Sequence, residues 1–166
     1  KMSIHLKNPK VILLTTVHAS IKNMFWSTYK KNPNFLNKEN YEEYKKIASE
    51  TFDEIFRHLP HDIDVKGKYL IEKNYALKGI TRFIHYARNH YDIEDKYIFK
   101  AISEVNWSAD YELWKDYGGT LSKRGNVLFG GGSGGIVAIF DKLFDTVKNY
   151  PELQGKAERF EQQEML

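Results

Sequence analysis

The chain has 166 residues, of which 42% are hydrophobic, 14% aromatic and 28% charged, and none is cysteine. This composition excludes collagen and intrinsic disorder, and a chain of this length buries roughly two-thirds of its unfolded surface without needing a disulfide or structural metal. Thiolate chemistry and Cys-rich zinc sites are excluded as well, while a formal charge of +3, from 25 Lys and Arg against 22 Asp and Glu, is a mild excess compatible with an anionic partner.

In chain order, Val11, Leu14, Val17, Ile21, Met24, Phe25 and Tyr29 recur at a spacing of mostly three and four, which predicts one helix from Val11 to Tyr29. Asn32-Pro33-Asn34 breaks it, and a second helix starts after Asn37 with the stripe Tyr41, Tyr44, Ala48, Phe52, Ile55 and Leu59, ending at Pro60. The segment from Lys68 to His90 has helical spacing through Leu70, Ala76, Leu77, Ile80, Phe83, Ile84 and Ala87. Gly79 inside it costs about 1 kcal/mol relative to alanine, which a close helix crossing would explain. A fourth helix is expected from Ile93 to Val105, with Glu94 and Asp95 favoured in its first turn by the helix dipole. One short turn follows at Asp110 to Trp114, the extended segment Gly125 to Phe129 comes next, and a last helix spans Gly135 to Asn149. The expected fold is mainly α. A single helical domain of about five to six helices would fill residues 1–150, with a short extended segment before a Gly-rich loop. Residues 151–166 would form a polar tail or a loosely docked helix.

No segment approaches the roughly 20 apolar residues that span a bilayer, and the run Val11 to Leu14 is too short for the centre of a signal peptide, so the expected location is the cytoplasm. Lys1 precedes Met2, so the chain is expected to be part of something longer.

Four places could carry chemistry. Gly130, Gly132 and Gly135 fit the G-x-G-x-x-G spacing of phosphate-cradling loops, with Ser133 among them, but five glycines in six residues match almost any glycine pattern. A flexible hinge or linker is the plainer reading of that loop. His58 and His61 with Asp62 and Asp64 could in principle approach a divalent metal, yet Pro60 spoils helical presentation and no further spaced ligand follows. His85 and His90 stand about 140° apart around a helix and so make no ligand pair. No Ser-His-acid or paired-carboxylate arrangement suggests a catalytic residue, and neither a metal nor another cofactor is expected.

The most informative feature is a basic strip, Lys66, Lys68, Lys73, Lys78, Arg82 and Arg88, with only Glu72 opposing it. Lys78 and Arg82 are one helical turn apart. Such an array, interleaved with Tyr69, Tyr75 and Tyr86, can neutralise phosphates, and a solvated helix face is the bland alternative. Lys123 and Arg124 form a second small basic site. The candidate nucleic-acid contacts are therefore Lys73, Lys78, Arg82, Arg88, Lys123 and Arg124.

At Val105-Asn106-Trp107-Ser108, Trp114 and Ser122-Lys123-Arg124-Gly125-Asn126-Val127-Leu128, the chain resembles the carboxy-terminal region of the DGQHR-domain (DndB-like) family, which includes a regulator of DNA phosphorothioate modification. Phe52 to Phe56 and Lys73-Asn74-Tyr75-Ala76-Leu77-Lys78-Gly79-Ile80 fall in a similar order, so the likeness spans roughly Tyr41 to Val147. The Asp-Gly-Gln-His-Arg string is absent, and Ala109-Asp110-Tyr111 stands where the family carries a more polar run. The resemblance implies a non-catalytic, DNA-associated accessory or regulatory module of a bacterial modification or defence system, with DNA and proteins of that system as partners. Two alternatives stay open: a nucleotide- or phosphate-binding enzyme built on the Gly130–Gly135 loop, and a protein-interaction module.

Overall fold

A computed structural model describes residues 14–62 and 67–156 and gives a mainly helical domain. The helices are α1 (Leu14–Met24), α2 (Trp26–Lys31), α3 (Tyr41–His58), α4 (Asn74–Asn89), α5 (Asp95–Glu104) and α6 (Gly134–Lys148). A small antiparallel hairpin joins β1 (Gly119–Leu121) to β2 (Val127–Phe129), pairing Gly119 with Phe129 and Leu121 with Val127.

The helical periodicities find their partners. The α3 stripe buries Ala48, Phe52 and Ile55, and Leu59 turns extended ahead of Pro60, where the proline ring disfavours further helix. Central to the packing is α4, which buries nine of its 16 residues. It runs parallel to α6, with Tyr75 against Gly135, Gly79 against Ile139, and Phe83 against Phe140 and Phe144. A Cβ on Gly79 would lie 2.6 Å from Cβ of Ile139 and 2.9 Å from the Ile136 carbonyl oxygen, so the close crossing that the glycine suggested is present.

The predicted helix from Val11 to Tyr29 is corrected: within the described residues it divides at Phe25 into α1 and α2. His85 causes the division, as set out below. Trp107 and Trp114 are core anchors whose indole N–H groups donate to the carbonyls of Ile102 and Ser108, each at 2.8 Å. Through Lys68, Leu70, Trp107, Ala109 and Val127, backbone hydrogen bonds stitch the approach to α4, the tryptophan segment and the hairpin together. Among the described residues no helix is long and apolar enough to cross a membrane. Beyond residue 150, a 3-10 turn at Pro151–Leu153 seats Leu153 in the core, and the rest of the expected tail from residue 157 lies outside the described residues.

Candidate nucleic-acid interface

Three segments, residues 14–38, 73–91 and 117–140, contain no Asp or Glu. They correspond to α1 with α2, to α4, and to the hairpin with the first half of α6. The fold packs all three around α4, so carboxylates are excluded from the surface these segments share. The half-buried outer stripe of α4, with Lys78, Arg82 and Tyr86, lies between α1–α2 on one side and α6 on the other.

Arg82 is the best-held cation on this stripe. Its Nε donates to Oδ1 of Asn23 at 2.8 Å. Asn23 is itself buried and its amide nitrogen donates to the Ala19 carbonyl at 2.8 Å, which leaves the oxygen facing Arg82. The guanidinium lies 4.1 Å from the centre of the Trp26 ring, and Lys30 Nζ lies 5.7 Å from that ring. Lys22 approaches the neighbouring Tyr29 ring at 5.2 Å. Burial pushes the guanidinium below its ordinary value, and among the described residues no carboxylate forms an ion pair with it. A planar cation stacked on indole, with its Nε fixed and its terminal nitrogens unclaimed by any carboxylate of the described residues, can receive a phosphate oxygen pair.

The other predicted contacts divide. Lys78 is half-exposed one turn before Arg82, and Lys73 is exposed ahead of α4. Lys123 and Arg124 are exposed at the hairpin tip, where Gly125 has φ +82° and Ser122 Oγ accepts from the Arg124 and Asn126 amides. Arg88 does not join them. It sits about 120° around α4 from Arg82, and its fork grips both carboxylate oxygens of Asp95 at 2.8 Å while Nη1 donates to Thr51. Lys68 is paired with Asp62, which also accepts from the Tyr69 hydroxyl at 2.7 Å, and Lys66 lies outside the described residues.

The glycine string also divides. Gly130, Gly131 and Gly132 face open space, with Gly131 at φ +70°, and Ser133 makes no side-chain cap to α6. Gly135 has a packing reason, since a Cβ there would lie 2.4 Å from the Tyr75 ring. Of the metal candidates, His58 stacks on Phe99 at 5.5 Å and its Nδ1 meets the Glu54 carbonyl at 2.8 Å. Asp62 is held by Lys68 and Tyr69, and Asp64 lies outside the described residues.

His85 and His90 require a correction. Helical spacing puts them about 140° apart, but α4 ends at Asn89 and the two rings approach to 5.6 Å. The Ser27 hydroxyl stands 2.9 Å from His85 Nε2 and 3.3 Å from His90 Nε2. His85 Nδ1 faces the Met24 carbonyl at 3.1 Å, and the Ser27 amide donates to His85 Nε2 at 3.3 Å. A carbonyl only accepts and an amide only donates, so these two partners favour a neutral imidazole protonated at Nδ1, and the Asn89 amide nitrogen, 3.3 Å from that Nδ1, donates to the His85 carbonyl at 2.9 Å. One ring thus caps the end of α1 and the start of α2, which is why the chain divides there. Burial, His90 and Arg82 all push His85 below its ordinary 6.5, in keeping with that neutral state.

Sequence reasoning missed Lys22, Asn23, Trp26, Ser27 and Lys30. The usable signal was Lys22, Trp26 and Lys30 at successive four-residue steps inside a segment without a carboxylate. No protein-family model, curated protein or solved structure matches the chain.

Proposed function

We propose that this protein is a non-catalytic DNA-associated module that binds the phosphate backbone through Arg82 and Lys78, with Lys22 and Lys30 beside them and Lys73, Lys123 and Arg124 extending the contact. The observation that carries this is the position of Arg82, stacked on Trp26 and steadied by Asn23, where three carboxylate-free segments meet. Elsewhere on the molecule lysines and arginines mostly stand beside acids, as in Lys46–Glu50, Lys96–Glu94 and Lys115–Glu112. An anionic polymer approaching α4 meets cations whose charge is not already compensated. The resemblance to DGQHR-domain proteins supports placing the module in a bacterial DNA-modification or defence system.

Fluorescence anisotropy with a labelled duplex tests the proposal. Binding is expected at low salt and to weaken steeply as salt rises, and the Lys78→Ala, Arg82→Ala pair is expected to flatten that dependence by about two counterions. Absence of binding at low salt, or binding indifferent to this double substitution, would overturn it. A light-scattering mass above that of one chain, in a preparation that ignores DNA, would instead favour a protein-interaction role.

A further inference from the structure

Arg82 borders a hollow of about 280 Å³ whose other walls are Tyr86, Tyr91, Ile136, Val137 and Phe140. Its volume falls just under the range for drug-sized ligands, which suits one aromatic ring system. The lining is apolar and aromatic apart from the guanidinium, and Val137 on its rim is 49% exposed, so the hollow is open to solvent. A purely apolar occupant would leave the half-buried arginine uncompensated, and a bare phosphate would leave the aromatic wall in water. The occupant that satisfies both carries a flat ring and an anionic group one short linker apart. A larger groove of about 840 Å³ between α3 and α5 is less suited to such a ligand, because its arginines are already engaged, Arg57 with Glu54 and Arg88 with Asp95, and Glu50 and Asp53 stand beside them.

We propose that the hollow beside Arg82 takes one unstacked nucleotide of single-stranded DNA, its base laid against the wall that Tyr86, Val137 and Phe140 form together and its phosphate on Arg82. The inference rests on the nucleic-acid reading above and narrows it, because a base within an intact duplex is stacked and paired and cannot enter. Single strands would bind through Arg82 and the hollow together, and duplexes through the cationic face alone.

The test compares a fluorescein-labelled single strand with the duplex of the same sequence at one salt concentration, alongside titrations with dAMP and with inorganic phosphate. The single strand is expected to bind about fivefold or more tightly than the duplex, and dAMP more tightly than phosphate. Val137→Trp, at an exposed rim position, fills the hollow with little risk to folding and without touching Lys78 or Arg82. It should erase the preference for the single strand while leaving duplex affinity in place. Equal affinity for the two DNA forms, or a preference that survives Val137→Trp, would overturn the inference while the duplex-binding proposal stood. Binding to neither form would overturn both.

Discussion

A single imidazole joins the end of α1 to the start of α2. His85 is 5% exposed, donates to the last carbonyl of α1 and accepts from the second amide of α2. Protonation would put an N–H against the Ser27 amide, so the folded state resists the proton more than the unfolded chain does. The sign follows from linkage: with the folded value depressed below 6.5, stability is complete above pH 6.5 and declines as the pH falls below it. Urea unfolding between pH 8 and pH 5 should show this decline, and His85→Gln should show a shallower one. At pH 8 the same substitution should cost about 1–3 kcal/mol, since it disturbs two backbone partners that are half-buried. Two arginines of α4 offer a second comparison at this scale. Arg88→Ala removes the bidentate pair to Asp95 and the bond to Thr51, and should lower stability by about 1–2 kcal/mol, since the pair is only partly shielded from solvent, with duplex affinity unchanged. Arg82→Ala should do the reverse, costing binding far more than folding. A shared loss of DNA affinity in both variants would mean that the α3–α5 side also meets the nucleic acid.

Among elements, the parallel contact between α4 and α6 is the tightest. Alanine is the better helix former by about 1 kcal/mol, so an exposed Gly79 would be improved by replacement. Here the added methyl meets the Ile139 Cβ and the Ile136 carbonyl oxygen, and backbone cannot step aside as a flexible side chain can. Overpacking should win, and Gly79→Ala is expected to lower the thermal midpoint with a net loss of about 1–2 kcal/mol. An unchanged or raised midpoint would show that the helices can separate at little cost. The same contact marks how far sequence reasoning reached. Periodicity placed α3 to α6 because each has a wide apolar face over ten or more residues, and Gly79 announced its own crossing. The break at Phe25 stayed hidden because its cause lies some 60 residues away, in a ring that looks like any other histidine on α4. The strand β1 was missed for a related reason. Thr120 and Leu121 are exposed and only three residues long with Gly119, so their state comes from pairing with β2 and not from their own pattern. The cationic site was half legible: Lys78 and Arg82 were found by spacing on one helix, but Asn23 and Trp26 reach them only through tertiary packing.

At the scale of the whole molecule a net charge of +3 conceals an uneven pairing of charge. Among the described residues, cations with no ion pair to a carboxylate collect where α1, α2, α4 and the start of α6 meet, while in the groove between α3 and α5 Glu54 and Asp95 pair with Arg57 and Arg88. A field of this kind steers by position, so two substitutions with the same effect on net charge should behave differently. Lys30→Glu reverses a charge beside Trp26 and Arg82. Lys46→Glu reverses one on α3, where Lys46 faces Glu50 at 3.9 Å. Both residues are exposed, so neither change should disturb folding by more than a few tenths of a kcal/mol. Counterion release makes one lost phosphate contact worth roughly five- to tenfold in affinity near 0.1 M salt. Lys30→Glu should therefore weaken duplex binding by at least that factor and reduce its salt slope by about one, because the new carboxylate also competes for Arg82. Lys46→Glu should leave both quantities within a factor of about two, the small residue of long-range repulsion that survives a Debye length near 10 Å. Anisotropy titrations of the two variants at matched salt read the difference directly. Equal losses would mean that the DNA responds only to overall charge, and the face built around α4 would then have no special claim on it.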